Sequence, residues 1–417
     1  MRDLLNTTSQ TRRKRVIYAW SYVEWGGAQI YFLALIREAK KHFDVLVVLP
    51  EGSNAQMLRF LDDAEVNYEY FGPPTDLGLA PNLTRKIERH WRKVRSETAL
   101  SSHLLKKDLR NSVVHLDLLP QQSFVPFRRL LSRTHIFFTM HNSLPPMASW
   151  REKLWKSKLG LLLGTGHFHI FASNQNAKDY FRGFVSDDAF EGITITRAGI
   201  DPAGINQILE TSPDREQILD RFEIPKEKTV VLTVGQFIDR KGRWTLLEAI
   251  QLISGERDDL QFLWLSPDPP SKADAEKIAE FGIGNSFRLV LSAEVGTRTD
   301  YLRFLRIADI YVLPSFVEGI PISLLEAMAL GIPSISTEIN GIPEAIENRK
   351  TGLLVKPGDS ESLKYSLLHL ADDPDFRKYL AARGRSLVMS NFNENESAKI
   401  ASAEYMKYLP KSPRDQI

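Results

Sequence analysis

Residues 311–344 read YVLPSFVEGIPISLLEAMALGIPSISTEINGIPE. The apolar, partly β-branched run from Ile310 to Leu313 closes at Pro314, which is the pattern of a buried parallel strand. Pro321 is placed to open a helix, where its missing N–H costs nothing, and Gly331 and Pro333 stop it. Between them Ile322, Leu324, Leu325, Ala327, Met328, Ala329 and Leu330 leave no polar face, so the helix is expected to be buried nearly all round. Glu326 stands inside that helix. A buried carboxylate is costly without a hydrogen-bond partner, so a polar partner must meet it. Glu318 lies eight positions earlier, in the loop after the strand. Open α/β sheets bind ligands at that end of their strands.

Outward from this stretch, apolar runs alternate with helical spacing over most of the chain. In the second half, strands are expected at 230–234, 260–265, 287–291, 310–314, 333–337 and 352–355, with helices between them. The first half offers strands at 16–20, 45–50, 112–116, 135–139, 169–173 and 193–196. The fold class is therefore α/β, with two doubly wound parallel-sheet domains facing each other across a cleft. Residues 1–200 are expected to form the first domain and 201–390 the second, with 391–417 a final helical segment.

The 417 residues suit two cores better than one. At 43% hydrophobic and 25% charged the composition is that of a globular protein, and without cysteine no disulfide or thiolate metal site can form. The opening MRDLLNTTSQTRRKR is polar and then basic, VIYAW is too short for a signal-peptide core, and no run approaches roughly 18 apolar residues. A cytoplasmic protein is expected. The net charge of +2 hides an asymmetry: residues 1–200 hold 28 Lys and Arg against 19 Asp and Glu, leaving 26 and 33 for the rest. A basic half can attract anionic lipid, nucleic acid or phosphorylated substrates. Two of its segments, RKIERHWRKVR (85–95) and MASWREKLWKSKLGLLL (147–163), mix Trp and Leu with Arg and Lys, a composition that can sit on an anionic membrane surface and that more often marks ordinary amphipathic helices.

Candidate ligand groups gather at the ends of the expected strands. Gly26 and Gly27 follow the first, where backbone can approach a ligand and a helix start offers free N–H groups to an anion. His141 follows the strand HIFFT. The loop GQFIDRKG (235–242) places Lys241 as a point charge for phosphate. Glu318 precedes the N–H groups of Gly319 and Ile320 at a helix start that can hold a phosphate. An ionised Glu accepts hydrogen bonds from vicinal hydroxyls, so Glu318 and Glu326 suit a sugar and a ribose. A metal would need convergent oxygen ligands, and the acidic cluster Asp372, Asp373 and Asp375 reads instead as a helix-starting turn.

Taken together, GGAQ (26–29), GQFIDRKG (235–242) and LPSFVEGIPISLLEAMALGIPSISTEINGIPEAIENRKTGLLVKPGD (313–359) resemble the retaining glycosyltransferases of family 4. The resemblance implies a GT-B fold, a nucleotide-sugar donor held mainly by the second domain, and metal-independent transfer with retention at the anomeric carbon. It implies Glu318 at the donor sugar, Glu326 at the ribose, Lys241 at the diphosphate, and donor contacts from Gly26, Gly27, Gln236, Gly319 and Ile320. It also implies His141 as an active-site histidine, and a last helix at about 394–408 that crosses back to the first domain. The expected partners are the donor and a sugar, lipid-linked or other hydroxyl acceptor, with no nucleic acid and no cofactor. Three positions depart from the family pattern: Gln236 stands for an arginine, SPDPP (266–270) for a glycine-rich turn, and Ala198 for an asparagine. A nucleotide-sugar epimerase and a non-catalytic sugar-nucleotide-binding module are the competing readings.

Overall fold

The computed structural model describes residues 14–23, 26–72, 83–117, 124–143, 148–211 and 215–410. Two parallel sheets organise them. The first has seven strands in the order β3-β2-β1-β4-β5-β6-β7: β1 (Arg15–Trp20), β2 (Asp44–Leu49), β3 (Asn67–Tyr70), β4 (Ser112–Asp117), β5 (His135–Met140), β6 (Phe168–Ala172) and β7 (Thr194–Ile195). The second has six in the order β10-β9-β8-β11-β12-β13: β8 (Thr229–Val234), β9 (Leu260–Ser266), β10 (Phe287–Leu291), β11 (Ile310–Leu313), β12 (Ser334–Thr337) and β13 (Leu353–Val355). Each is a doubly wound, Rossmann-like α/β unit. In each, strand order reverses at one place, between β1 and β4 and between β8 and β11. There neighbouring connections leave to opposite faces and open a crevice at the strand ends.

All six expected strands of the second half are present within a residue or two. β3 was not anticipated. Its four residues, Asn-Tyr-Glu-Tyr, pair only with β2 at the sheet edge and are nowhere fully buried, so no apolar run announces them. Pro321 sits one place earlier than expected, as the N-cap of the helix Ile322–Ala329, and seven of the eight residues in that helix are buried.

The chain crosses between the sheets twice, and the crossings touch. Ile200 N–H donates to the Phe392 carbonyl at 2.8 Å, and Glu394 N–H donates to the Ile200 carbonyl at 2.9 Å. A Cβ on Gly199 would lie 2.5 Å from Phe392 O, so only glycine fits there. The helix Glu394–Lys407 then packs along the helix Gly27–His42, and its Ala398, Ala401 and Tyr405 enter the core of the first sheet. Tyr405 OH meets His115 Nδ1 at 2.6 Å, while His115 Nε2 meets Thr139 Oγ1 at 2.8 Å. Burial holds His115 well below the ordinary histidine range, so the core keeps it neutral.

Candidate functional site

The site is built on the ends of β8 and β11, neighbours in the second sheet. After β8 a short 3-10 turn, Asp239–Lys241, ends at Gly242 with φ 74. A Cβ on Gly242 would sit 1.8 Å from the Pro314 carbonyl, and Phe316 N–H donates to Arg240 O at 2.8 Å, so this turn is pressed against the end of β11. The result brings Lys241 Nζ to 2.5 Å from Glu318 Oε1. Ser315 Oγ donates to the same oxygen at 2.8 Å, and Arg240 Nη1 stands 3.7 Å from Oε2. Glu318 is buried, yet charge-assisted bonds and two nearby cations offset its desolvation.

Glu326 has the polar partners its burial demands. Arg298 pairs with Oε1, and Tyr301 OH donates to Oε2 at 2.8 Å. Both come from the helix Arg298–Leu305, 25 to 28 residues upstream, a distance at which no local pattern could have named them. Burial raises the Tyr301 hydroxyl to about 12 and so keeps it a donor. The acidic cluster is committed elsewhere: Asp373 caps the helix Pro374–Asn391, and Asp372 pairs with Arg257 at 2.6 Å.

The second sheet's loops press directly on the first domain. A Cβ on Gly319 would lie 2.1 Å from the His141 carbonyl, so these two expected site residues are in backbone contact. Asn340, at φ 43, takes the Glu318 N–H at 3.3 Å through Oδ1 and donates through Nδ2 to Ser143 Oγ at 2.7 Å. Glu344 accepts from Gln175 N and Asn176 N at 3.0 and 2.9 Å. The stretch that carries Glu318 and Glu326 therefore also carries the contacts that hold the two domains together.

His141 lies with its ring edge-on to Tyr31, centroids 5.2 Å apart, and its Nε2 is 3.6 Å from Asp117 Oδ1. Gly26 is the extended N-cap of the helix Gly27–His42, and that helix supplies Tyr31 and Phe32 to the histidine. A Cβ on Gly27 would have open space around it, and one on Gly26 would come within 3.7 Å of Gln29 Oε1. Ile320 turns its side chain into the core of the second domain. Gln236 opens the turn after β8, its carbonyl accepting from Ile238 N at 2.9 Å.

Residues 214–387 match the family model of the glycosyl transferases group 1. That span contains the Lys241–Glu318 pair and Glu326. Among curated relatives, the lipopolysaccharide core biosynthesis glycosyltransferase LpsE of Rhizobium meliloti is 28% identical over 206 residues, 49% of this chain and 56% of that protein. Over that match the chain spans about half the length of the relative. The N,N'-diacetylbacillosaminyl-diphospho-undecaprenol alpha-1,3-N-acetylgalactosaminyltransferase of Campylobacter jejuni is 24% identical over 93% of this chain and 96% of its own. The solved structure of Anabaena HepE in complex with UDP-glucose superposes with a TM-score of 0.70 at 17% identity, covering 95% of this chain and all of that one. The two-sheet architecture is that of the GT-B glycosyl transferases.

The basic segments of the first half form the helices Leu83–Leu105 and Ser149–Leu163; Met147, at the start of the second, lies outside the described residues. Both lie on one face of the first sheet, where Leu100, Leu104, Trp155 and Leu159 share a core cluster. Away from it, Ile87, Trp91, Trp150, Leu154 and Leu161 are exposed, Trp91 at 62% and Trp150 at 61%.

Proposed function

We propose that this protein transfers a sugar from a nucleotide-sugar donor to an acceptor hydroxyl, with retention of anomeric configuration, in the assembly of a cell-surface polysaccharide or glycolipid. The observation that carries the reading is the Lys241–Glu318 pair at the second switch point, packed through Gly319 onto His141 of the facing domain. Lys241 exchanges Glu318 for the donor diphosphate, and the helix Ile322–Ala329 adds the positive end of its dipole. Glu318, released, accepts from the hydroxyls of the transferred sugar, and Glu326, oriented by Arg298 and Tyr301, takes the ribose.

As the bond from the anomeric carbon to the diphosphate oxygen breaks, that oxygen gains negative charge, which Lys241 stabilises in a water-poor crevice. The acceptor oxygen forms its bond to the same face of the anomeric carbon, and its proton passes to the departing diphosphate oxygen. This scheme assigns leaving-group neutralisation to protein groups and calls on no metal.

The names of the relatives support a lipid-linked or polysaccharide acceptor, and the HepE complex makes UDP-sugars the first donors to try. The exposed Trp91, Trp150, Leu154 and Leu161 amid Arg and Lys support docking of the first domain on an anionic membrane. Incubation with a panel of nucleotide sugars tests the function. Transfer or slow hydrolysis releases nucleoside diphosphate; a changed sugar without release means epimerisation, and binding with neither means a non-catalytic module. Sedimentation with phosphatidylglycerol vesicles, but not phosphatidylcholine vesicles, is expected for the intact protein and lost on Trp91→Ser with Trp150→Ser.

A further inference from the structure

The first sheet has a switch crevice of its own, and it too holds a carboxylate. Asp117 is the last residue of β4, and Tyr22 lies two residues beyond β1, the neighbouring strand across the reversal. Tyr22 OH donates to Asp117 Oδ2 and accepts from Gln29 Nε2 at 2.6 Å. Asp117 Oδ1 makes no such bond among the described residues and lies 3.6 Å from His141 Nε2, just beyond hydrogen-bond range. That Nε2 is buried and without a hydrogen-bond partner among the described residues. Everything else about His141 is fixed. Its carbonyl accepts from Ser173 Oγ at 3.0 Å and Asn174 Nδ2 at 2.9 Å, Gly319 backs onto it, and Tyr31 and Phe32 wall the ring.

We infer that Asp117 is the positioning residue for His141, with Gln29 and Tyr22 aiming the carboxylate. In the free protein the carboxylate at 3.6 Å already favours a proton on the facing Nε2, and a few tenths of an ångström of closure makes that approach a full donor bond to Oδ1. That bond settles the imidazole in one tautomer, protonated at Nε2, and leaves Nδ1 as the ring's acceptor. It also satisfies a buried polar atom that is otherwise orphaned. The inference rests on the proposed function only for what His141 then does; the tautomer itself is a property of the free protein.

Two measurements separate those levels. In the free protein, ¹⁵N–¹H correlation spectra of the imidazoles, with His141 assigned by its loss in His141→Gln, are expected to show the Nε2–H tautomer. In Asp117→Asn, and more weakly in Tyr22→Phe, that pattern gives way to a mixture. A His141 signal unchanged by Asp117→Asn overturns the inference, whatever the protein catalyses. In steady-state transfer, Asp117→Asn is expected to lower kcat about tenfold or more while donor KM moves less than about threefold. Added to His141→Gln, it should change kcat by less than about twofold, since a positioning residue has nothing left to position. Multiplying effects in the double variant overturn it. Absence of any donor turnover by the wild type refutes the functional reading alone and leaves the spectral result to decide this one.

Discussion

The two switch crevices face each other and are built differently. In the second sheet, Lys241 and Glu318 meet at 2.5 Å, a full ion pair with Ser315 and Arg240 around it. In the first, Asp117 is held by a neutral tyrosine hydroxyl and faces an imidazole. The charged crevice suits a group that brings and gains negative charge. The other, with donors and acceptors but no lysine or arginine in contact with its carboxylate among the described residues, suits the orientation of hydroxyls. The same topology thus places a lysine–glutamate ion pair on one side of the cleft and a tyrosine–aspartate–histidine cluster on the other.

The largest expected effect breaks the charged side. Glu318→Gln keeps the volume and one acceptor but removes the charge, and should lower transfer at least about a hundredfold with little change in melting temperature. Glu318→Ala removes in addition the acceptor that a glutamine still offers Lys241 Nζ and Ser315 Oγ, and should also cost stability, on the order of 3 kcal/mol; calorimetric melting beside the release assay distinguishes the two variants. Next, Gly319→Ala forces its Cβ against the His141 carbonyl and so pushes the crevices apart. A loss of about tenfold to a hundredfold in kcat/KM is expected, recovered by no increase in donor concentration. Lys241→Met and Tyr22→Phe then sharpen the contrast. The first should weaken binding of free nucleoside diphosphate by about tenfold in titration calorimetry, and the second should leave it within about twofold.

A further effect concerns stability alone, and it belongs to the first domain. Glu97, in the helix Leu83–Leu105, is fully buried, its carboxylate oxygens accept no hydrogen bond among the described residues, and Lys93 Nζ is 3.8 Å away. Burial pushes its carboxyl up to about 7. The folded protein therefore holds a proton between pH 4.5 and 7 that the unfolded chain releases. Stability falls as pH rises through that window and stays low above it. Glu97→Gln should remove this slope and gain on the order of 2 kcal/mol at pH 8 relative to pH 5, read from denaturant midpoints.

Much of this was legible in the residues because the second domain writes its strands as unbroken apolar runs and its loops as glycine- and proline-marked turns. Glu318, Lys241 and His141 could each be named from their place at a strand end. That Glu326 needs a partner followed from its apolar neighbours; that the partners are Arg298 and Tyr301 did not, because the pairing is set by how two helices pack. Asp117 escaped for a related reason. The expected strand stopped at Leu116, one residue short, and the significance of its end depends on β4 lying beside β1, an order no local spacing encodes. The Lys241–Glu318 contact is likewise a consequence of β8 and β11 being neighbours across 77 residues of chain.

Two bodies joined by a single strand can swivel, slide and twist, but these are joined by two, stitched side by side at Ile200, Phe392 and Glu394. Sliding one past the other would break bonds of 2.8 and 2.9 Å, whereas rotation about the line through the stitch leaves them intact. An opening rotation about that line would instead have to part Asn340 from Ser143 and Glu344 from Gln175 and Asn176. A side chain at Gly199 would wedge the axle itself, and every residue at the cleft would feel the error multiplied by its distance from that line.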